Sequence, residues 1–411
     1  MAREMDNRRG GTRRSNPRRE GRAQAAERHV ADVAARCARE IERSIEGTVE
    51  IDGMPPEAAE ALAKAKAAST AASGKVQIAG AGSEVAAAGS EDVAAEPKPA
   101  PAGDTAAAEA ASDVASEVEV AAAEGVSAIA GDEGVSAIAG DDSSASAEGV
   151  PVTETAPAPE LPTVTVVDAT STQAVLDNGR GYAQFCDLAL LDFASFVSPG
   201  GGYIRGAMAQ EECLCADSFL YNVLKEKRAW YQENRRRNIN CELYRNRGLI
   251  VPAVRFERNK MHAYADVLVV AAPFARRARE DYKVTDAQLN DALRERIRFA
   301  LALCDKTGHD KLVAGAFGCG AFGNDPEVVA EMFREELGSG NWGVKQVIFA
   351  VPKNKWDNNL AVFEHAFATF PQKNPESFVD AQARVAAAKA AEEAARATET
   401  EEDEDDWRKY L

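Results

Sequence analysis

Two adjacent glutamates, Glu211 and Glu212, follow Gln210 and come shortly after a run of three glycines, Gly200-Gly201-Gly202. Consecutive residues of a helix point about 100° apart, so one carboxyl group can face a reacting bond while its neighbour holds a hydroxyl group. Cleavage of a glycosidic bond needs a carboxyl group that protonates the leaving oxygen and then deprotonates water. A structural explanation stays open, because acidic residues also stabilise the positive end of a helix dipole.

A second glycine-rich loop runs from Gly315 to Pro326 and, like the first, follows an apolar segment of strand length. Glycines at the carboxyl end of a strand let backbone N–H groups approach a phosphate, and Pro326 suits the first position of a helix. The loop lacks the Lys-Ser/Thr pair of a Walker A motif, which disfavours magnesium-nucleotide hydrolysis. Either loop alone is also explained by tight turns, but two such loops after two strands predict a phosphate site.

The segments that must position these loops alternate between strand and helix patterns. Apolar or β-branched runs predict strands, and apolar residues three and four apart predict helices. Near-continuous apolar strands separated by helices indicate an α/β fold with a mixed or largely parallel sheet, covered on both faces. The predicted strands are Thr163–Val167, Leu188–Phe193, Leu249–Phe256, Asp266–Ala272, Leu312–Ala316 and Val347–Val351. The predicted helices begin near Ala207, after the capping box at Thr285, and near Glu327.

Composition divides the rest of the chain, because an alanine-rich stretch buries too little apolar area to form a core. Amphipathic spacing predicts a helix from Ala23 to Gly47, followed by a short strand at Thr48–Ile51. The expected organisation is a disordered basic leader (1–22), an N-terminal helix and strand of the catalytic module (23–53), a disordered low-complexity insertion (54–160), a catalytic core (161–372), and a helix-prone, then acidic and disordered tail (373–411). A nonapeptide repeated at 124–132 and 133–141 suggests expansion of a tolerant loop rather than a solenoid.

The 411-residue chain has a formal net charge of −18 and seven scattered cysteines. No CxxC pair or Cys/His ligand spacing is present, and Cys213 and Cys215 would face different directions on a helix, so we expect neither a metal site nor a cofactor. His262 and His309 have no nucleophile in an evident triad with them, so we expect them to be structural or at the surface. The cysteines suit a reducing compartment, and we find no signal peptide or membrane span in the sequence. We therefore expect a cytoplasmic or nuclear protein.

The two glycine-rich loops and the paired glutamates resemble the motifs of a known family. The run from Phe193-Ala-Ser through Pro199-Gly-Gly-Gly to Ala209-Gln-Glu-Glu resembles the signature of poly(ADP-ribose) glycohydrolases. The second loop is similar to that of the family's microbial-type branch, as is the N-terminal helix. The resemblance covers residues 17–53 and 161–370. It implies a macrodomain-like, three-layer α/β/α fold with a mixed sheet.

The resemblance also implies roles for residues of the two loops. Glu212 would be the catalytic acid and base, and Glu211 would hold ribose hydroxyls. Release of ADP-ribose from chain ends, without a metal or cofactor, would follow. The substrate-binding residues would be Gly200, Gly201, Gly202, Gln210, Gly318, Cys319, Gly320, Ala321, Phe322 and Gly323, with Phe322 packed on the terminal ribose.

Three departures from the family's pattern affect the expected site. Phe317 stands where a Trp is common, Phe274 stands where an Asn is usual, and Tyr203-Ile204-Arg205 separates the glycines from the acids. The expected partners are poly(ADP-ribose) or ADP-ribosylated proteins, with no nucleic acid or membrane, and the chain is expected to be a monomer. Other functions stay open: an ADP-ribose-binding macrodomain without turnover, a hydrolase of mono-ADP-ribosylated protein or nucleotide, and a scaffold.

Overall fold

A mixed β-sheet is the framework of the structure. The computed structural model describes residues 17–74 and 160–408, and within these ranges the sheet has seven strands in the order β1-β4-β5-β3-β6-β7-β2. β4 pairs antiparallel with β1 and β5, whereas the remaining neighbours pair parallel. The strands are β1 (Val49–Asp52), β2 (Thr163–Val167), β3 (Leu188–Phe193), β4 (Arg247–Arg258), β5 (Met261–Val270), β6 (Lys311–Ala314) and β7 (Gln346–Ala350).

Helices pack on both faces of this sheet. They are α1 (Pro17–Arg36), α2 (Ala38–Gly47), α3 (Pro56–Gly74), α4 (Ser171–Asn178), α5 (Gln210–Ala216), α6 (Leu220–Leu224), α7 (Arg228–Arg237), α8 (Ala275–Tyr282), α9 (Asp286–Thr307), α10 (Pro326–Gly338), α11 (Asn359–Phe367) and α12 (Phe378–Arg408). In the part of the chain that the structure describes, no helix is long and apolar enough to cross a membrane.

β3 shows why the pattern specifies an α/β fold. It lies between β5 and β6, and its first five residues are buried. Leu188 and Leu190 pack with the helices on one face, whereas Ala189 and Leu191 pack with α9, α10 and α11 on the other. Because both faces are covered, the strand has to be apolar throughout rather than alternating. The predicted α/β fold with a mixed sheet is confirmed.

The N-terminal part differs in detail from the sequence expectation. The single helix expected from Ala23 is two helices that break at Cys37, and α1 already begins at Pro17. α3 occupies residues that the sequence composition places in the insertion. Its Leu62 packs against the core, and the burial of this side chain stabilises the helix. The expectations for residues 1–16 and 75–159 lie outside the described residues.

The remaining differences lie at element boundaries and at the C-terminal end. β4 and β5 form a longer hairpin than expected, joined by Asn259 and Lys260 at positive φ. The helix expected near Ala207 begins at Gln210. The backbone of α12 is helical through the acidic run to Arg408, where we expected disorder.

A buried arginine ties α9 to the ends of the strands beside the second loop. Arg296 is 1% exposed, and its guanidinium donates to Asn246 Oδ1 at 2.8 Å and to the backbone carbonyl of Tyr244 at 3.0 Å. It also donates to the carbonyl of Ala271, just beyond β5. Burial lowers the pKa of Arg296 to about 10, which still leaves it charged at neutral pH. Its hydrogen bonds therefore fix the backbone on which Phe274 and the second loop rest.

We predict that Arg296→Met lowers the free energy of unfolding by about 3 kcal/mol, because several buried acceptors lose their donor. Urea unfolding followed by circular dichroism measures the change. Arg279→Met is the matched control: its exposed ion pair with Asp286 should contribute less than about 1 kcal/mol. Equal effects of the two substitutions would contradict the role assigned to Arg296.

Candidate active site

The loop after β3 brings its backbone unusually close to two carboxylates. Gly200 and Gly201 have φ of 61° and 59°, which favours glycine over residues with a side chain. A Cβ atom at Gly201 would lie 2.5 Å from Glu212 Oε1 and 2.9 Å from Glu211 Oε2. A Cβ atom at Gly200 would lie 2.6 Å from the Tyr221 ring. The glycines are therefore required by close packing as well as by backbone conformation.

Glu212 is held by backbone N–H groups on both of its oxygens. The amide of Gly202 donates to Oε1 at 2.7 Å, and the amide of Ala209, the residue before α5, donates to Oε2 at 2.8 Å. The side chain is 8% exposed. Its carboxylate thus joins the end of the glycine loop to the start of the helix, at a fixed position with limited contact to solvent.

Glu211 points to another part of the same loop and is 3% exposed. Its Oε2 accepts a hydrogen bond of 2.7 Å from the amide of Ser195, whereas its Oε1 has no partner among the described residues. Burial raises the pKa of Glu211 well above its usual range, and the nearby Asp192 raises it further. The two glutamates therefore have different environments, as their expected roles require.

Asp192 is a site residue that the sequence reasoning missed. It lies on β3, is 0% exposed, and neither carboxylate oxygen has a hydrogen-bond partner within residues 17–74 and 160–408. Burial raises its pKa well above the usual range, and the charge of Glu212 acts in the same direction. A charged residue inside the run Leu190-Leu191-Asp192-Phe193 was the available signal, since an unpaired buried carboxyl group is costly.

Gln210 joins α5 to the end of β3. Its Oε1 accepts from the amide of Phe193 at 2.9 Å, and its Nε2 donates to the carbonyl of Leu191 at 2.9 Å and to Ser171 Oγ at 3.2 Å. Both the oxygen and the nitrogen of the Gln210 side-chain amide are therefore hydrogen-bonded within the protein. These bonds place the two glutamates that follow; its predicted contact with substrate stays a prediction.

The second loop, between β6 and α10, is fixed by Asn324. Its Nδ2 donates to the carbonyls of Pro273 at 2.9 Å and Gly318 at 3.2 Å. Gly318 has φ of 75°, and a Cβ atom there would lie 2.5 Å from that nitrogen. Gly323 also has a positive φ, of 73°. The loop conformation therefore depends on glycines and on an asparagine that the sequence analysis did not single out.

Phe322 and Phe274 explain one departure from the family's pattern. Their rings are stacked, with centroids 4.7 Å apart at an interplanar angle of 18°. The Phe322 carbonyl also accepts from the amide of Arg276 at 3.1 Å. The resemblance places the Phe322 ring against a ribose. Phe274 supports that ring by stacking, where an Asn at this position could make a polar contact with the ligand. The other departure, Phe317, is buried and packs edge-on against Phe193.

The loop after the glycines is supported by the N-terminal helix. Arg19 Nε donates to the carbonyl of Arg205, and Arg22 Nε donates to that of Gly206, each at 2.9 Å. Tyr203 is buried and lies edge-on to His29 of α1. The insertion of Tyr203 to Arg205 between the glycines and the acids therefore packs against α1 and forms part of the protein framework.

A cavity of about 520 Å³ lies between α5, the second loop and the end of β7. Of the predicted site residues, its walls include Gln210, Gly318, Gly320, Ala321 and Phe322. Glu211, Glu212, Gly323 and the three glycines are not among the residues that line it, and Cys319 packs against the core. Wall residues that sequence reasoning did not propose include Ser171, Thr172, Met208, Cys213, Val351, Asn354 and Asp357.

Comparisons with known proteins identify relatives of this chain. A family model, microbial-type PARG, catalytic domain, matches residues 115–259, which include both the glycines and the glutamates of the first loop. A poly(ADP-ribose) glycohydrolase from Thermomonospora curvata, bound to the inhibitor ADP-HPD, is 34% identical over 50% of this chain and 78% of that chain, with a TM-score of 0.44. That from Deinococcus radiodurans, in complex with ADP-ribose, is 32% identical over 50% and 84%, with a TM-score of 0.45. A comparison with curated proteins found no match.

Paired carboxyl groups beside a glycine loop are residues that glycoside cleavage can use. The identity to the Thermomonospora curvata enzyme extends over 78% of that chain. The chain therefore belongs to the microbial-type poly(ADP-ribose) glycohydrolase family.

We predict that Gly201→Ala lowers kcat about 100-fold, because a displacement of the carboxylates by even 1 Å costs about that factor. Release of ADP-ribose from polymer measures kcat. Gly181→Ala is the control, since a Cβ atom there meets nothing within 4 Å among the described residues. Unchanged turnover in Gly201→Ala would contradict the close approach.

We predict that Asp192→Asn gains stability relative to the wild type as pH rises above about 4, the ordinary pKa of an aspartate. The folded-state pKa of Asp192 is raised, so the wild type binds its proton more tightly when folded. That contribution is complete below the unfolded pKa and is lost as pH rises towards the folded pKa. The amide of the variant has no such proton. Urea unfolding at several pH values should therefore show that the free energy of unfolding of Asp192→Asn increases relative to that of the wild type as pH rises.

Glu331→Gln is the opposite control. Hydrogen bonding to Arg334 lowers the pKa of Glu331, with Lys373 adding to the effect. That stability is present above the unfolded pKa and is lost as pH falls. The free energy of unfolding of Glu331→Gln should therefore decrease relative to that of the wild type as pH rises. A difference between Asp192→Asn and the wild type that does not depend on pH would exclude an ionisable buried Asp192.

Proposed function

We propose that the chain hydrolyses the ribose–ribose O-glycosidic bond of poly(ADP-ribose) and releases ADP-ribose, with Glu212 as the general acid and base. The observation that carries the proposal is the placement of Glu212, whose two oxygens accept from Gly202 and Ala209 at 2.7 and 2.8 Å. A carboxyl group fixed in this way, with little solvent contact, has the position and the chemistry that glycoside cleavage requires.

Glu212 would act twice in the reaction. It first gives a proton to the leaving ribose oxygen, so the C–O bond breaks and an oxocarbenium-like sugar forms. It then takes a proton from water as the water oxygen bonds to the anomeric carbon, which regenerates the acid. The substrate's own diphosphate would stabilise the positive charge, and no metal ion is part of the proposal.

Two neighbouring acids share this buried environment with Glu212. Burial raises the pKa values of both Asp192 and Glu211, and the charges of nearby carboxyl groups raise them further. Asp192 and Glu211 therefore keep their protons to a higher pH than free carboxylic acids do. We infer that Glu211 orients ribose hydroxyls through its free Oε1, while Asp192 acts on the glutamates without touching substrate.

The second loop would hold the diphosphate. We propose that the backbone N–H groups of Gly318 to Gly323 face the phosphates, because this loop has the glycines that permit a close approach. Phe322 would pack on the terminal ribose, in an orientation that Phe274 fixes from behind. Gly320 has room for a ligand beside it, since an added Cβ atom would meet nothing within 4 Å in the described structure.

We predict that Glu212→Gln lowers turnover by about 3–5 kcal/mol in transition-state free energy, roughly 100- to 5000-fold. ADP-ribose release from auto-modified polymer measures turnover, and the shift in melting temperature with ADP-ribose measures binding. The glutamine is nearly isosteric, so the ligand-induced shift should persist when turnover is lost.

Three other outcomes would each overturn part of the proposal. Equal release by the wild type and Glu212→Gln would mean that Glu212 is not the acid. A wild type that releases nothing but is stabilised by ADP-ribose would be a binding module. Release from mono-ADP-ribosylated protein, with none from polymer, would replace the proposed substrate.

A further inference from the structure

A cysteine, an aspartate and a histidine meet at the edge of the sheet opposite to the glycine loops. Cys186 and His309 each stand two residues before a strand, β3 and β6 respectively. Asp266 lies on β5 beside Ala189, near the start of β3. One donor atom from each side chain lies within 4.8 Å of the other two, and all three residues are partly buried. These residues take no part in the reaction proposed above.

Two observations show that the three groups point inwards at one another. His309 Nε2 lies 3.0 Å from Asp266 Oδ2, yet this nitrogen makes no hydrogen bond in the described part of the chain, so its direction does not suit one. The Cys186 thiol donates to Asp266 Oδ1 at 3.6 Å. The amide of Ala253, in the bulge of β4, donates to the same oxygen at 2.8 Å and holds the carboxylate in place.

We propose that Cys186, Asp266 and His309 form a binding site for one divalent transition-metal ion, best suited to Zn²⁺. Thiolate, imidazole and carboxylate are the ligands that zinc takes in proteins. With bonds of about 2.0–2.3 Å, a tetrahedral ion holds its donor atoms roughly 3.3–3.5 Å apart. The observed separations of 3.0 and 3.6 Å lie on either side of that range, so small side-chain rotations suffice. Water would complete the coordination.

Metal binding has a defined proton balance at this site. The S–H bond of Cys186 breaks, a metal–sulfur bond forms, and the proton leaves to solvent. Burial, aided by the charge of Asp266, raises the pKa of the Cys186 thiol to about 12. Burial thus favours the neutral thiol, whereas a bound cation favours the thiolate.

The ion would have a structural role. It would join the segments that precede β3 and β6 to the middle of β5, three strands that are neighbours in the sheet. No sequence motif indicates such a site, because the ligands lie at positions 186, 266 and 309 without the short spacings of known zinc motifs. Their proximity results from the strand register alone.

Metal titration of the full chain tests the proposal. The purified protein is stripped with a chelator and then titrated with Zn²⁺ against a chromophoric competitor, and separately with Co²⁺. We expect one equivalent to bind, a thiolate-to-cobalt charge-transfer absorption to appear, and the melting temperature to rise. Cys186→Ala and His309→Gln should each weaken binding by more than about 100-fold, since even the loss of an outer hydrogen-bonding partner costs roughly 10- to 100-fold.

Cys241→Ala and His262→Gln are the matched controls, because both residues are exposed and lie outside the cluster. Both controls should bind zinc as the wild type does. A wild type without the charge-transfer absorption would overturn the proposal even if a variant fails to fold. Equal affinity of the wild type, Cys186→Ala and His309→Gln would overturn it as well. Polymer hydrolysis measured in chelator should persist, so this result is independent of the proposed function.

Discussion

The catalytic side of the site depends on the close approach of the backbone at Gly201 to two carboxylates. Glu212 Oε1 and Glu211 Oε2 occupy the space that a side chain at this position would need. Because the carboxylates accept from the amides of Ser195 and Gly202, the loop and the helix that follows it cannot move separately. Hydrogen bonds from uncharged backbone amides thus hold the Glu212 carboxyl group in position. No positively charged partner, which would stabilise its ionised form, is needed for this.

Burial of several acids together is unfavourable, and the rest of the fold offsets it. Asp192 lies within a strand whose other residues pack on both faces of the sheet, so its carboxyl group cannot move out to water. Gln210 uses its amide to hold the end of the same strand. The hydrophobic layers therefore supply stability that offsets the burial of Asp192 and Glu211, whose pKa values burial raises.

Sequence patterns predicted the parts of this structure that have local causes. The strand from Leu188 to Phe193 followed from its continuous apolar run, and the paired glutamates after three glycines indicated the chemistry. Non-local features could not be read in this way. In the sequence, Asp192 is only a polar residue within an apolar strand, and Asn324 is one polar residue of a loop. The break between the helices at Cys37 has no glycine or proline that would predict it. The Cys186, Asp266 and His309 cluster depends on register between strands, which one-dimensional spacing does not encode.

Helix α1 supports the catalytic loop from a distant part of the chain. Arg19 and Arg22 contact carbonyls that lie 186 and 184 positions later. At about 5–20 residues per second, a ribosome therefore makes the helix roughly 10–40 seconds before its binding surface exists. During that interval the apolar side of the helix, which includes Val33 and Ala26, has no partner from the catalytic core. The nascent chain thus carries an uncovered hydrophobic stripe until the segment that begins near Tyr203 has been made.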